Sequence, residues 1–231
     1  MQLANSTRLG PGEAQRLFRE VLNYPLFVPD LGTHVTRLLI EGDLPGFLKE
    51  LHRLALLGSR PASALLACLY LKGAVNGTPD PARAEQLCAD AACKGEPYAQ
   101  YVMGWICRMT GRDAEAMKWL RRSGVKGLFL PAIVDIGRFI AEGFGVEAPD
   151  ARMALSVLWE AHRLGHRMAL AYISGILLAG AVGWLGKLVG AALSPLAVMR
   201  AATYAHRNPL SDRAFVIRTS MTRPLFKIGC S

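Results

Sequence analysis

Small residues recur along this 231-residue chain at intervals of 33 to 37 residues, and a regular interval of that length is typical of repeat architectures. The markers are four alanines with spacings of 37, 33 and 37: Ala62, Ala99, Ala132 and Ala169. An apolar residue lies four positions after each alanine, a small or compact residue five positions after it, and a glycine or threonine eleven positions after it. Positions 4, 8 and 11 share one helix face, so the pattern predicts a helix that a neighbouring helix approaches closely.

A second set of markers predicts a second helix in each unit. Residues that cap helix N-termini are spaced by 37, 33, 37 and 44 at Asp43, Asp80, Asp113, Asp150 and Ser194. Two of them precede a proline, which suits the first position of a helix. The predicted helix ends are residues that tolerate a left-handed backbone: Gly58, Gly95, Gly127, Gly165 and Asn208. Both sets therefore indicate a unit of helix, short loop, helix and tight turn.

Three stretches show the unit most clearly: ASALLACLYLKG at 62–73, DPARAEQLCADAACKG at 80–95 and LPAIVDIGRFIAEGFGVEAPDARMALSVLWEAHRLG at 130–165. They resemble the Sel1-like repeat (SLR) family, whose units are longer relatives of tetratricopeptide repeats. The last stretch has these residues in family positions: Gly143, Gly145, Val146, Asp150, Ala154, Trp159, Ala161 and Gly165. The resemblance implies an adaptor or assembly scaffold, which in some bacterial relatives works at the cell envelope in polysaccharide production.

The predicted fold is an all-α solenoid of about five helix-turn-helix repeats with an N-terminal cap helix. The cap helix is expected within 1–30, the repeats within 31–208 and a basic tail over 209–231. Stacked first helices would line a concave groove that binds a protein partner. The residues expected to contact that partner are Tyr70, Tyr101, Arg108 and Arg138.

The fifth unit departs from the others by an apolar insertion at 181–193. In this unit thirteen residues, AVGWLGKLVGAAL, stand where the closest-matching unit has a six-residue loop. Residues 168–186 carry no charge, a pattern typical of a membrane-spanning helix. However, 169–180 is already explained as the first helix of a repeat. The many glycines and the lack of a positive-inside bias also argue against a simple span.

Three roles remain open for the insertion. It can dip into one leaflet of a membrane, present an apolar surface to a protein partner, or be buried as a capping element. We favour the first role, because an apolar insertion beside a basic tail suits an anionic bilayer surface. The residues expected to make membrane or partner contact are Trp184, Leu185, Lys187, Leu188 and Val189.

The net charge of +9 favours an acidic partner, and residues 200–231 supply five of those nine units with six basic residues against one acidic. An anionic membrane surface or an acidic protein fits this balance. Nucleic acid is disfavoured as a partner, because the basic residues of the tail are widely spaced and no nucleic-acid-reading module is recognisable.

No pattern of catalytic or cofactor-binding residues emerges, so we expect no enzyme, no cofactor and no small-molecule substrate. His162 and His166 are four residues apart, but Gly165 is predicted to end their helix between them, which argues against a metal pair. Five cysteines without a regular framework, and a start without a signal-peptide run, predict a reducing compartment such as the cytoplasm. Cys68 and Cys107 are predicted to be core residues.

The leading functional hypothesis is a non-catalytic scaffold that assembles a protein partner at the cytoplasmic face of a membrane. Under this hypothesis the chain is a peripheral or re-entrant protein at the cytoplasmic face of the membrane. The alternative is a wholly soluble adaptor whose insertion is covered by its protein partner. An enzyme with an unrecognised site is a third hypothesis, and it would require a concave cluster of ionisable residues.

Overall fold

The computed structural model describes residues 43–166 and 168–207, together with 34, 35, 37, 38 and 41. Every regular element in this part of the chain is helical. The cap helix predicted within 1–30 and the basic tail predicted at 209–231 lie outside the described residues. The prediction of an all-α fold of helix-turn-helix repeats is confirmed over the rest.

The chain forms two compact units, and the first ends at Leu128. Its α-helices are α1 (Leu44–Leu56), α2 (Arg60–Leu71), α3 (Pro81–Cys93), α4 (Pro97–Met109) and α5 (Asp113–Arg121), and a π-helix (Arg122–Lys126) follows. Each helix packs on the next one in sequence, and α2 also packs directly on α4. The first helices of successive repeats are therefore neighbours in this unit, as a solenoid requires.

The second unit begins at Phe129. Its helices are α6 (Leu130–Glu142), α7 (Ala151–Arg163), α8 (Ala169–Leu178) and α9 (Trp184–Arg207). Consecutive helices pack pairwise, and α6 also contacts α8. Two hairpins, α6–α7 and α8–α9, thus repeat the arrangement seen in the first unit.

Aspartate caps begin three of the predicted second helices. The carboxylates of Asp43, Asp80 and Asp150 accept hydrogen bonds of 2.9–3.0 Å from backbone N–H groups three residues later. Each such bond satisfies a donor that the helix leaves free and is typically worth about 1 kcal/mol. Asp113 does not follow the prediction. It is already the first residue of α5, Arg112 occupies the cap position, and no side chain caps the helix there.

The end of the second helix in the 99–127 unit also differs from the prediction. The chain continues from α5 into the π-helix, and Gly127 has a φ of −88° rather than a left-handed value. Leu128 takes the positive φ instead, at 52°. A glycine is still required at 127, because a Cβ there would lie 2.6 Å from the Ser123 carbonyl oxygen and 2.8 Å from Pro97 Cβ.

The predicted small-residue face is the contact surface inside two of the hairpins, α4–α5 and α6–α7. A Cβ at Gly104 of α4 would lie 2.8 Å from both Cγ and Cδ2 of Leu120. A Cβ at Gly137 of α6 would lie 2.7 Å from Cγ of Leu158 in α7. Both leucines are fully buried. The same glycine-on-leucine contact therefore fixes the two helices of both hairpins at close range.

In the fifth unit the predicted second-helix start at Ser194 is wrong. The helix begins ten residues earlier, at Trp184, and α9 runs unbroken for 24 residues with Pro195 inside it. The apolar insertion predicted at 181–193 is therefore mostly helical and continuous with the expected second helix. Gly180 and Gly183, both with positive φ, make the turn that leads into α9.

Candidate functional site

One face of α4 carries a tyrosine, a tryptophan and an arginine. Tyr101, Trp105 and Arg108 are spaced by four and three residues, so they lie on one side of the helix, and each is half-buried. The Tyr101 ring stacks on buried Tyr98 with centroids 6.2 Å apart. We call Tyr101, Trp105 and Arg108 the α4 face. Trp105 is absent from the predicted groove set, although its helical spacing from Tyr101 places it there.

An ion pair positions the arginine of the α4 face. Arg108 Nη1 lies 3.3 Å from Asp113 Oδ1, across the short turn between α4 and α5. Both side chains are about one-third exposed, so the pair is solvated and contributes at most about 1 kcal/mol to stability. Its main effect is to hold the guanidinium in place.

Tyr70, the predicted groove residue on α2, points elsewhere. It stands eight positions after the repeat alanine, whereas Tyr101 and Arg108 stand at positions 2 and 9. At 3.6 residues per turn it is rotated by roughly 100–120° from them. Its hydroxyl lies 3.3 Å from Nε2 of His52 in α1, and the two rings meet edge to face. The geometry of α2 therefore places Tyr70 against α1 rather than on the side that corresponds to the α4 face.

Arg138 belongs to an ionic cluster in the second unit. Its Nη1 lies 2.9 Å from Oδ1 of Asp135, its Nη2 lies 3.9 Å from Oε1 of Glu142, and its Cζ lies 5.2 Å from the ring centroid of Tyr172. Asp135 is only 5% exposed. Burial works against the charged guanidinium, but Asp135, Tyr172 and Glu142 hold the pKa of Arg138 above its ordinary value. Arg138 thus links α6 to α8 and neutralises a buried carboxylate.

The outer side of α9 is apolar and open. Trp184, Leu185, Leu188 and Val189 are between 50% and 70% exposed, and Lys187 is exposed beside them. The exposed row continues beyond the predicted insertion to Leu196, Val198 and Met199. We call the exposed apolar residues of α9 the α9 face: Trp184, Leu185, Leu188, Val189, Leu196, Val198 and Met199. The sequence prediction does not include the last three residues, because Ser194-Pro195 is typical of a helix start, whereas α9 continues through both residues.

The opposite side of α9 is built from small residues that pack on α8. A Cβ at Gly190 would lie 2.8 Å from the backbone N of Leu178 and 2.9 Å from Cβ of Leu177. Ala197, two turns further on, is buried. The glycines at 186 and 190 therefore serve close packing inside the hairpin, and the large side chains of α9 are left on the outside.

Lys187 folds back across the turn that precedes its own helix. A Cβ on Gly180 would collide with Cε of Lys187, so the lysine side chain passes directly over that glycine. This places its ammonium group near the C-terminal end of α8, where the helix dipole favours positive charge. The lysine remains exposed at the edge of the α9 face.

Within the described ranges, no helix is both long and apolar enough to cross a membrane. In the same part of the chain, no group of three or more histidine, cysteine or acidic side chains is placed to hold a metal ion. His162, one of the two histidines considered for metal binding, instead meets Arg200 of α9, with 3.1 Å between His162 Nε2 and Arg200 Nη1.

The described cysteines are all free thiols, and their surroundings differ sharply. Cys88 and Cys107 are buried, Cys68 is half-buried, and Cys93 is exposed. Burial raises the pKa of Cys107 to about 11 and that of Cys88 further still. Because the thiolate is the reactive form, both buried thiols are inert at neutral pH. The predicted core location of Cys107 is confirmed, whereas Cys68, also predicted to be a core residue, is only half-buried.

We therefore expect iodoacetamide to modify Cys93 in the native protein at pH 8 and to leave Cys88 and Cys107 unmodified. Peptide mapping by mass spectrometry measures each site separately. In urea these three should react at similar rates, and a Cys93→Ser variant should remove the fast native signal from the peptide that contains residue 93. Rapid native labelling of Cys107 would contradict the burial described above.

The hairpin units define a class: the chain is an α-helical repeat protein. No protein-family model and no curated protein sequence matches it. Among solved structures, a Sel1 repeat protein from Oxalobacter formigenes is 30% identical over 53% of this chain and 92% of that one, with a TM-score of 0.40. The c5321 protective antigen of uropathogenic Escherichia coli strains, which displays an SLR fold, is 18% identical over 89% of this chain and 55% of that one, with a TM-score of 0.33.

Both TM-scores are low, so the assignment depends on the repeat residues and on the 30% identity over nearly all of the Oxalobacter protein. The chain belongs to the Sel1-like repeat family. Repeat folds of this kind generally act as scaffolds for protein–protein interaction.

Proposed function

We propose that the chain is a non-catalytic scaffold that binds a protein partner through the α4 face and holds it at the cytoplasmic face of a membrane. The observation that carries the protein-binding part is the α4 face itself. Tyrosine, tryptophan and arginine are the residue types that dominate binding energy at protein interfaces. Here all three lie along two turns of one helix, half-buried and accessible.

The α4 face is preorganised, which reduces the entropic cost of binding. Tyr101 is fixed by its stacking on Tyr98, and the ion pair with Asp113 restrains Arg108. Side chains that are already ordered lose less conformational freedom when a partner docks. A partner that offers a carboxylate to Arg108 and an apolar side chain between the two aromatic rings would be complementary.

The envelope or polysaccharide-production setting implied by the family resemblance belongs to this proposal. The membrane location rests on the α9 face, an apolar surface that a scaffold in water would need to cover. The second candidate function is a wholly soluble adaptor in which the protein partner, rather than lipid, covers the α9 face. The same apolar surface favours it.

A capture experiment tests the protein-binding part. We expect the tagged full chain to retain a stoichiometric protein partner that Arg108→Glu loses at least tenfold, because charge reversal repels an acidic contact. Quantitative mass spectrometry of the captured proteins is the readout. Arg163→Glu is the matched control, since Arg163 is far more exposed and lies outside the α4 face. Equal capture by the wild type and Arg108→Glu would refute the α4 face as the binding site.

A further inference from the structure

We infer that α9 lies in the plane of an anionic lipid surface, with the α9 face among the acyl chains and its flanking basic side chains at the lipid phosphates. This inference rests on the membrane part of the proposed function and names the chemistry of the surface that part requires.

The α9 face is an exposed apolar surface that we expect to bind another molecule. Its large side chains stand on the solvent side of a helix whose other side is already occupied by α8. From Trp184 to Met199 the face runs over 16 residues, or about 24 Å of helix, with Lys187 as the one charged residue in that span. A contiguous apolar surface of that length marks a binding site for protein or lipid.

The charge near the α9 face favours anionic lipid over the other molecules that could bind this surface. From residue 168 to residue 207 the sequence has no acidic residue and three basic ones: Lys187, Arg200 and Arg207. The net charge of this region is therefore +3. A second copy of the chain would bring like charges together. Anionic headgroups complement both the charge and the apolar surface.

The packing of α9 dictates an in-plane orientation. Gly190 packs on the end of α8, and Gly190 and Ala197 are both buried on one side of α9, whereas the large side chains from Trp184 to Met199 are exposed on the other. Such a helix can insert the large side chains by roughly 5–10 Å while the protein body stays in water. Trp184 lies at the N-terminal end of the row, where its amphipathic ring suits the headgroup boundary.

Vesicle flotation with the full chain tests the inference. We expect binding to phosphatidylcholine vesicles that contain phosphatidylglycerol, and much weaker binding to phosphatidylcholine alone or at high salt. Leu188→Glu and Met199→Glu, changed separately, should each weaken binding more than tenfold, and Lys187→Gln about fivefold. Leu56→Glu is the matched control, because Leu56 is 89% exposed but lies on α1 in the other unit. It should bind like the wild type.

Contrary outcomes would either overturn the inference or assign the α9 face to a different binding partner. Absence of vesicle binding, or binding that Leu188→Glu leaves unchanged, overturns the inference. A dimer in analytical ultracentrifugation that Leu188→Glu dissociates would assign the face to a second copy. Loss of the captured protein partner in Leu188→Glu would assign it to the soluble adaptor. Arg108→Glu should leave vesicle binding intact, so failure of the protein-binding proposal and failure of the lipid inference are distinguishable.

Discussion

Replacing Arg138 by methionine is expected to lower the free energy of unfolding by about 3 kcal/mol. The substitution keeps most of the side-chain length but removes the guanidinium that lies 2.9 Å from Asp135. Because Asp135 is buried, its carboxylate would lose its ionic partner where water is scarce, which is the costly way to break an ion pair. Denaturation by urea, followed by circular dichroism at 222 nm, measures the effect.

The matched control is Arg163→Met. Arg163 pairs with Glu160 at 3.2 Å in a similar three-residue spacing, but its side chain is 78% exposed. Exposed pairs contribute about 0–1 kcal/mol, so this variant should be nearly neutral. The double variant Asp135→Leu with Arg138→Met should recover part of the lost stability, because it removes the buried carboxylate as well. Equal effects of Arg138→Met and Arg163→Met would show that burial of the pair is unimportant.

Gly137→Ala is expected to destabilise the native chain by about 2 kcal/mol and to be neutral or stabilising once Leu158 is alanine. The added methyl would lie 2.7 Å from Cγ of Leu158 in the native hairpin, and overpacking of this kind costs about 1–3 kcal/mol. Leu158→Ala removes the colliding atoms at its own cost of about 2–5 kcal/mol. In that background the higher helix propensity of alanine, worth about 1 kcal/mol, is no longer opposed.

This double-mutant cycle separates packing from intrinsic helix propensity. Residues 137 and 158 are in contact, so the changes in unfolding free energy of the two substitutions should not add. The Gly104–Leu120 contact provides an internal replicate in the other unit, because a Cβ added at Gly104 would lie 2.8 Å from Leu120. If Gly137→Ala changes the unfolding free energy by the same amount with leucine and with alanine at residue 158, the close contact with Leu158 is not the reason for glycine at 137.

The sequence predicts the repeat well because its markers act locally. An aspartate that caps a helix bonds to a residue three positions away, as Asp80 and Asp150 do, and needs no distant partner. The markers fail where local signals are ambiguous. The turn between α4 and α5 is short, so Asp113 falls one position inside the helix and pairs with Arg108 instead.

The interaction surfaces are only partly predictable. Four of the five contact residues proposed for the insertion belong to the exposed apolar row of α9, because an uncharged stretch is visible in composition alone. The rotation of a helix about its axis is not visible in composition. Tyr70 contacts His52, and Trp105 lies on the α4 face although the predicted groove set does not include it. Whether Tyr70, Tyr101, Arg108 and Arg138 contact a partner stays a prediction. Ser194 shows the converse problem, since a good helix-start signal lies in the middle of a longer helix.

The glycine-on-leucine contacts have a consequence for how such chains change length in evolution. Both partners of each contact, Gly104 with Leu120 and Gly137 with Leu158, belong to a single hairpin. A gene segment that encodes one hairpin therefore carries both halves of the contact with it. Duplication or deletion of whole hairpins preserves the contact without any compensating substitution elsewhere, so an array of this kind can gain or lose a unit in one genetic event.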